Sequence, residues 1–335
     1  MEPFFSIVVP LLNEGPYIEG LTRSLLDLDY PDDRYEIIMA DGGSTDRTLE
    51  LLQGVDTGRR IRVLKNPGRT APAALNVAIA EATGEIVTRV DAHSRVAPDY
   101  LRRIVAVMEE TGESVVGGPV LMEADTPFRQ ALVEALVSPI GVGSVPYRTL
   151  RERKHVETLQ TGSFRREVLD RVGPFDESLA VVEDLDMNTR IRKAGYRLLL
   201  DPSIRFWYFP RPSLRALWKQ IFTVGRVKAW ILGKHPEIFK LKYVLPSVFV
   251  VTIAGSVAAL LAGAMGATLA GLLGGIVLGG YVLALAGFAA SRAPRLGTGA
   301  FRLMGILPTL HVGYGLGFLV GALELPGRLR SKRSP

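Results

Sequence analysis

EIVTRVDAHS, residues 85–94, carries a Val/Ile-rich run into an acid at Asp91 and an imidazole at His93. Turn residues alone would account for Asp-Ala-His, so its neighbours decide the reading. Upstream, FFSIVVPLL (4–12) reads as a buried strand, and YEIIMAD (35–41) and IRVLKN (61–66) as a second and a third strand. Amphipathic stretches separate them: Pro16–Leu26, a helix opened by Ser44 or Thr45, and Ala71–Ala82 with Pro72 near its start, where proline is tolerated. Pro98–Glu110 forms the next helix. Apolar strands alternating with helices argue for an α/β domain on a mostly parallel sheet covered on both faces. Asp91 and His93 then stand at the carboxyl end of a central strand, where such sheets bind ligands.

The chain has 335 residues, 47% of them hydrophobic and 22% charged, and a net charge of +6. Charge recurs up to Arg205, whereas Tyr243 to Ser291 holds no Asp, Glu, Lys or Arg. That run is long enough for two membrane spans of about 20 residues each. We place them at Val244–Ala262 and Thr268–Ala290, joined by GAMGA, with a third apolar segment at Leu303–Leu323 containing Pro308 and His311. The stretch before the first span is basic and includes Arg215, Lys219, Arg226, Lys228, Lys240 and Lys242. Its place against an apolar span suits an anionic membrane surface on the cytoplasmic side rather than nucleic acid. The basic loop at 291–302 belongs on that same side. The basic tail then lies on the opposite side if the third segment spans, and on the same side if that segment re-enters. The organisation expected is a catalytic domain at 1–205, a basic amphipathic interfacial helix region at 206–242, a membrane region of about three segments at 243–325, and a tail at 326–335. The first residues lack the basic start and cleavage site of a secretory signal, so the polar domain is expected to be cytoplasmic. With no cysteine, disulfides and thiolate metal sites are excluded.

More polar groups gather at strand ends. Asn13 and Glu14 follow the first strand, and Asp41 follows the second, with Gly42 and Gly43 allowing a tight turn. Asp46 is read as a helix-start acid only. Neither GxGxxG nor GxxxxGK[ST] occurs, so neither a dinucleotide fingerprint nor a P-loop is present. Glu183, Asp184 and Asp186 precede a short amphipathic helix; either all three complement its dipole or one serves as a general base.

Taken in order, VVPLLNE (Pro10, Asn13, Glu14), MADGGSTDRT (Asp41), NPGRTAPAALNVAIAEATGE (Arg69, Asn76, Gly84), RVDAHS (Asp91, His93), TGSF (Gly162, Ser163) and GPFDESLAVVEDLDMNTRIRKAG (Glu183, Asp184) resemble the family 2 glycosyltransferases. These are inverting enzymes of the GT-A fold that use nucleotide-diphosphate sugars. RVDAHS and QIFTVGRVKAW further resemble the membrane-bound, succinoglycan ExoA-like group of exopolysaccharide assembly. Much of the family carries Asp-x-Asp where this chain has Asp91-Ala-His93, and imidazole suits Mn²⁺ better than Mg²⁺.

The resemblance implies a divalent metal, Mn²⁺ or Mg²⁺, against the donor diphosphate, with Asp91 on the metal or the nucleotide ribose and His93 either a metal ligand or a direct diphosphate contact. It implies donor contacts from Pro10, Asn13, Glu14, Asp41, Arg69 and Asp91, and an acceptor pocket shaped by Gly162 and Ser163. It implies a general base at Asp184, with Glu183 second. Gln220 and Arg226 are expected to close over the diphosphate. The function expected is transfer from a UDP-sugar, with UDP-glucose first, to a lipid-linked saccharide at the bacterial inner membrane. The alternatives are transfer directly to polyprenyl phosphate, or a non-catalytic scaffold.

Overall fold

The computed structural model describes residues 2–55, 61–141 and 146–331. In chain order its elements are β1 (Phe5–Leu11), α1 (Ile18–Leu26), β2 (Tyr35–Asp41), α2 (Thr48–Gln53), β3 (Ile61–Lys65), α3 (Ala71–Ala80), β4 (Ile86–Arg89) and β5 (Ser94–Val96). There follow α4 (Tyr100–Thr111), β6 (Val115–Gly117), β7 (Val120–Met122), α5 (Pro127–Val137), α6 (Pro146–Thr149), β8 (Lys154–Val156), β9 (Ser163–Arg165), α7 (Arg166–Val172) and α8 (Glu183–Lys193). The last are β10 (Leu198–Leu200), β11 (Phe206–Tyr208), α9 (Leu214–Lys234), α10 (Leu245–Ala264), α11 (Thr268–Leu296) and α12 (Leu303–Ser331). Contacts divide the chain into Met1–Glu123 with Val145–Phe209, and Ala124–Ser144 with Pro210–Pro335.

The first unit is built on an eight-stranded sheet in the order β3-β2-β1-β4-β9-β6-β10-β8. Four neighbour pairings are parallel and three antiparallel, the latter all involving β8 or β9. The α/β sheet expected from the sequence is therefore present, with an antiparallel insertion beside β4. The two-residue period of a strand sorts its side chains between two cores. From β1, Phe5, Ile7, Val9 and Leu11 pack on one face with Leu21 and Leu25 of α1 and Leu101 and Ile104 of α4. Val8 points to the other face, with Ala74, Leu75 and Ala78 of α3 and Met187 and Ile191 of α8. Pro10 sits in β1 opposite Ala40 of β2, past the last β4 pairing at Val8–Arg89, where its missing N–H is not needed for that ladder.

One helix begins later than the sequence suggests. α2 starts at Thr48, because Ser44 and Thr45 are drawn into the preceding turn: Ser44 Oγ donates to Asp41 and Thr45 N to Asn13 Oδ1. Asp46 does serve the helix start, accepting from Thr48 N at 3.0 Å, and it also accepts from Gly15 N. A second, three-stranded sheet, β5-β11-β7, begins immediately after the Asp-Ala-His segment. Its β11 pairs antiparallel with β5, Tyr208 opposite Ser94, and pins the residues that follow His93.

In the second unit α9 and α12 meet along glycines. A Cβ on Gly317 would fall 2.0 Å from Phe222 O, one on Gly321 2.1 Å from Arg226 O, and one on Gly225 2.2 Å from Tyr314 O. Such close approach through small residues is how helices associate in lipid. Leu245–Ala264 and Thr268–Arg328, the latter containing α11 and α12, are long and apolar enough to cross a membrane, and only 11% of the most apolar window of each is buried. Leu261, Leu269 and Leu283 are 61%, 69% and 73% exposed, an arrangement that water would not favour. Within this apolar set His311 donates from Nε2 to Ile140 O at 2.7 Å, and its Nδ1 receives the Tyr281 hydroxyl at 3.0 Å.

Candidate active site

The ends of β1 and β2 are tied together by their own polar side chains. Asn13 has φ 56°, a left-handed conformation that asparagine tolerates better than most residues. From there its Oδ1 accepts from Thr45 N at 2.8 Å and Asp46 N at 3.3 Å, while its backbone N–H donates to Ser44 Oγ. Asp41 is buried and folds back on its turn, accepting from Gly43 N at 2.9 Å, Ser44 N and Ser44 Oγ. Glu14 N donates to Thr48 Oγ1 at 2.8 Å. Arg69 is exposed with φ 56° and lies over this turn: a Cβ on Gly42 would meet its Cα at 3.2 Å. Among the described residues the third non-glycine residue with positive φ is Val182, at 63°, immediately before α8. A β-branched residue there is strained, and strain of this kind is retained where surrounding structure enforces it.

At the end of β4, three charges form a buried chain. Arg89 donates from Nε to Asp91 Oδ1 at 2.9 Å, and its Nη2 lies 2.7 Å from Glu183 Oε1. Each of the three side chains is at most 9% exposed. Burial works against charge on Asp91, but the charges of Arg89 and His93 and hydrogen bonds from Arg89 and Gln160 outweigh it and hold the carboxyl below its usual range. Burial likewise opposes charge on Arg89, and Asp91, Glu183 and Asp184 together raise its pKa. Glu183 and Asp184 thus lie inside the first turn of α8 rather than ahead of it, and Asp184 is half-buried. Asp186 is fully buried and holds Arg190 one turn on, as a scaffold acid would.

His93 faces Glu14. Its Nδ1 lies 3.1 Å from Glu14 Oε1, both side chains about 15% exposed. Because a carboxylate only accepts, Nδ1 is the donor in this contact, and Nε2 is the ring nitrogen left to face a ligand. The ring centroid lies 4.8 Å from that of Tyr208, edge-on, and 6.3 Å from that of Tyr17, which itself stacks on Phe209 at 5.4 Å. Arg89 N donates to Gly162 O, and a Cβ on Gly162 would strike the Phe164 ring at 2.7 Å. Ser163 is wholly buried and shares a 2.5 Å hydrogen bond with Thr88 Oγ1. Asn76 spans to the Phe175 backbone and to Glu177. Gln220 and Arg226 are carried by α9 of the second unit, where Arg226 forms a bidentate pair with Glu324 at 2.6 and 2.8 Å.

Among the described residues no group of three or more His, Asp or Glu side chains could hold a metal alone. Asp91 with His93 nonetheless fits part of a coordination shell. The acid is buried and anionic, and the imidazole has the carboxylate partner on its far nitrogen that metal-bound histidines characteristically have. Substrate oxygens would have to complete the shell. Sequence reading missed Arg89, Gln160 and the Glu14–His93 pair. Arg89 had a signal: a charge inside the apolar run IVTRV must find a partner if that run is a central strand.

The model of glycosyl transferase family 2 matches residues 6–173. The succinoglycan biosynthesis protein ExoA of Rhizobium meliloti (strain 1021) is 34% identical over 243 residues, covering 72% of this chain and 73% of that protein. The dolichyl N-acetyl-alpha-D-glucosaminyl phosphate 3-beta-D-2,3-diacetamido-2,3-dideoxy-beta-D-glucuronosyltransferase of Methanococcus voltae is 26% identical, covering 69% of this chain and 74% of its own. Among solved structures, the mannosyltransferase PcManGT from Pyrobaculum calidifontis, in complex with GDP-Man and Mn²⁺, aligns with a TM-score of 0.56 at 22% identity, over 97% of this chain and 88% of that one. The fold is therefore that of the GT-A glycosyltransferases. The chain belongs to glycosyl transferase family 2 and is a glycosyltransferase of polysaccharide or glycan biosynthesis.

Proposed function

We propose that the enzyme transfers a sugar, with inversion, from a nucleotide-diphosphate donor to a lipid-linked saccharide held in the membrane. Asn13, Glu14 and Asp41 would hold the nucleoside, with Pro10 shaping the strand end beneath it and Arg69 contacting phosphate. Asp91 and His93 would hold Mn²⁺ or Mg²⁺, which supplies positive charge where the leaving diphosphate gathers negative charge. An acceptor hydroxyl attacks the anomeric carbon as the bond to the diphosphate oxygen breaks. Its proton passes to Asp184, which must lie within about 2.6–3.2 Å of it. Gly162 and Ser163 would shape the acceptor side from beneath.

The observation that carries this reading is the buried Asp91–Arg89–Glu183 chain, which joins the donor end of β4 to the turn bearing Asp184. Glu183 is occupied by Arg89, which favours Asp184 as the base. A multi-pass placement with the catalytic unit on the cytoplasmic side of a bacterial inner membrane accords with the exposed apolar helices and the basic residues before them. A relative named for a dolichyl-linked sugar phosphate supports a lipid-linked acceptor.

Asp184→Asn tests the reading. It should retain donor binding and lose about 10²–10⁴-fold in turnover, as for a lost general base; wild-type turnover would remove Asp184 from the mechanism. Products formed from labelled UDP-glucose and GDP-mannose identify the donor. An extended lipid-oligosaccharide would support the proposed acceptor, and a single sugar on polyprenyl phosphate would replace it.

A further inference from the structure

Two other partly buried arginines of the first unit, Arg166 and Arg190, have scaffold duties and spend most of their donors on backbone carbonyls. Arg166 donates to Gly84 O and Ala82 O, both at 2.8 Å. Arg190 gathers the carbonyls of Val172, Gly173 and Pro174 at the end of α7. Arg89 is different. The partners of its guanidinium are the carboxylates Asp91 and Glu183, and Nη1 finds no hydrogen-bond partner among the described residues. Its position is set by two acids of the candidate site and not by the scaffold.

The start of α8 needs such a tie. Its N-cap residue, Val182, makes no side-chain capping bond and holds a left-handed backbone that a β-branched residue resists. The hydrogen bonds that do form there, Leu185 N to Val182 O at 3.2 Å and to Asp184 Oδ1 at 2.8 Å, stay within the turn and do not reach β4. Glu183, the first residue of that turn, is the group Arg89 grips.

We propose that Arg89 is a positioning residue that fastens the donor-holding end of β4 to the first turn of α8, and so sets where Asp184 stands relative to the bound donor. This rests on Asp91 as a donor contact and Asp184 as the base. A guanidinium can do it because its planar fork reaches two carboxylates at once. A lysine ammonium, a single point charge, satisfies one or the other.

The test is a double-mutant cycle on the full-length protein in detergent, comparing wild type, Arg89→Lys, Glu183→Gln and the double variant. Nucleotide affinity is read by calorimetry with UDP and GDP in the presence of Mn²⁺, and kcat by sugar transfer. Arg89→Lys should keep nucleotide affinity near wild type while kcat falls about 10²-fold, the loss expected from a displacement of about 1 Å. Glu183→Gln should show the same split, and the double variant should lose no more than either single one, since the bridge breaks only once. If Arg89→Lys fails to fold, Glu183→Gln alone decides, and an unchanged kcat overturns the proposal. Losses that multiply in the double variant, or affinity that falls in step with kcat, overturn it too. A wild-type protein that binds neither nucleotide would sink the donor-site reading, and the proposal with it.

Discussion

Removing the Glu14 side chain should weaken metal-dependent nucleotide binding without unfolding the loop that carries it. Besides its proposed place at the nucleoside, Glu14 makes two separable contacts within the fold. Its backbone amide donates to Thr48 Oγ1, which any residue at this position would preserve. Its side chain accepts from His93 Nδ1 at 3.1 Å in a setting that is about 15% exposed. A hydrogen bond to a charged group in such a setting contributes about 1.5–3 kcal/mol, and a carboxylate behind a metal-bound histidine typically accounts for about 10–100-fold in metal affinity. Both figures describe the same loss. Glu14→Ala should therefore weaken Mn²⁺ binding in the presence of UDP or GDP toward the upper end of that range. Glu14→Gln still accepts a hydrogen bond but lacks the charge, and should fall near the lower end. Calorimetric titration of Mn²⁺ into nucleotide-saturated protein reads both, with the melting temperature as control. Unchanged Mn²⁺ affinity in Glu14→Ala, with wild-type melting, would refute the argument that Glu14 orients His93 as a ligand.

Three further outcomes follow from other parts of the chain. Gly317→Val should lower the melting temperature of detergent-solubilised protein, because its Cβ would stand 2.0 Å from Phe222 O and overpacking costs about 1–3 kcal/mol or more; an unchanged melting curve would mean that α9 and α12 do not meet there. Burial opposes charge on Glu36, but Thr83, Ser6 and Arg62 outweigh it and depress its pKa. The stability it contributes is complete above its unfolded value and lost as pH falls through the lower folded one, so Glu36→Gln should flatten the acid limb of stability against pH. Asn13→Ala should destabilise by about 2 kcal/mol, from two lost acceptor bonds and a left-handed backbone that alanine resists; a melting curve equal to wild type would deny Asn13 that role.

The parallel half of the sheet was readable because β1, β2 and β4 are buried on both faces and announce themselves as apolar runs, interrupted only by Ser6, by Glu36, and by Thr88 and Arg89. The YEIIMAD strand has the bounds expected of it. The antiparallel insertion was not readable: β6, β8, β9 and β10 are three residues each, too short for a period to show. α5 groups with the second unit although it lies inside the first in sequence, and its weakly amphipathic PFRQALVEALV gives no sign of that. At the site, the residue types and their strand-end positions were legible, but the pairings were not. Glu14 meets His93, and Arg89 meets Glu183, across separations that only the folded sheet closes. The late start of α2 has the same origin, since Ser44 and Thr45 look like caps until Asp41 and Asn13 claim them.

The central claim is a nucleotide-sugar site at the end of β4. Its most direct test is calorimetric titration of the purified protein with UDP and GDP, with and without Mn²⁺, in wild type and Asp91→Ala. The account predicts that one nucleotide binds, that Mn²⁺ tightens it, and that Asp91→Ala abolishes the metal-dependent part. Binding that is indifferent to both Mn²⁺ and Asp91, or no binding of either nucleotide, would contradict it.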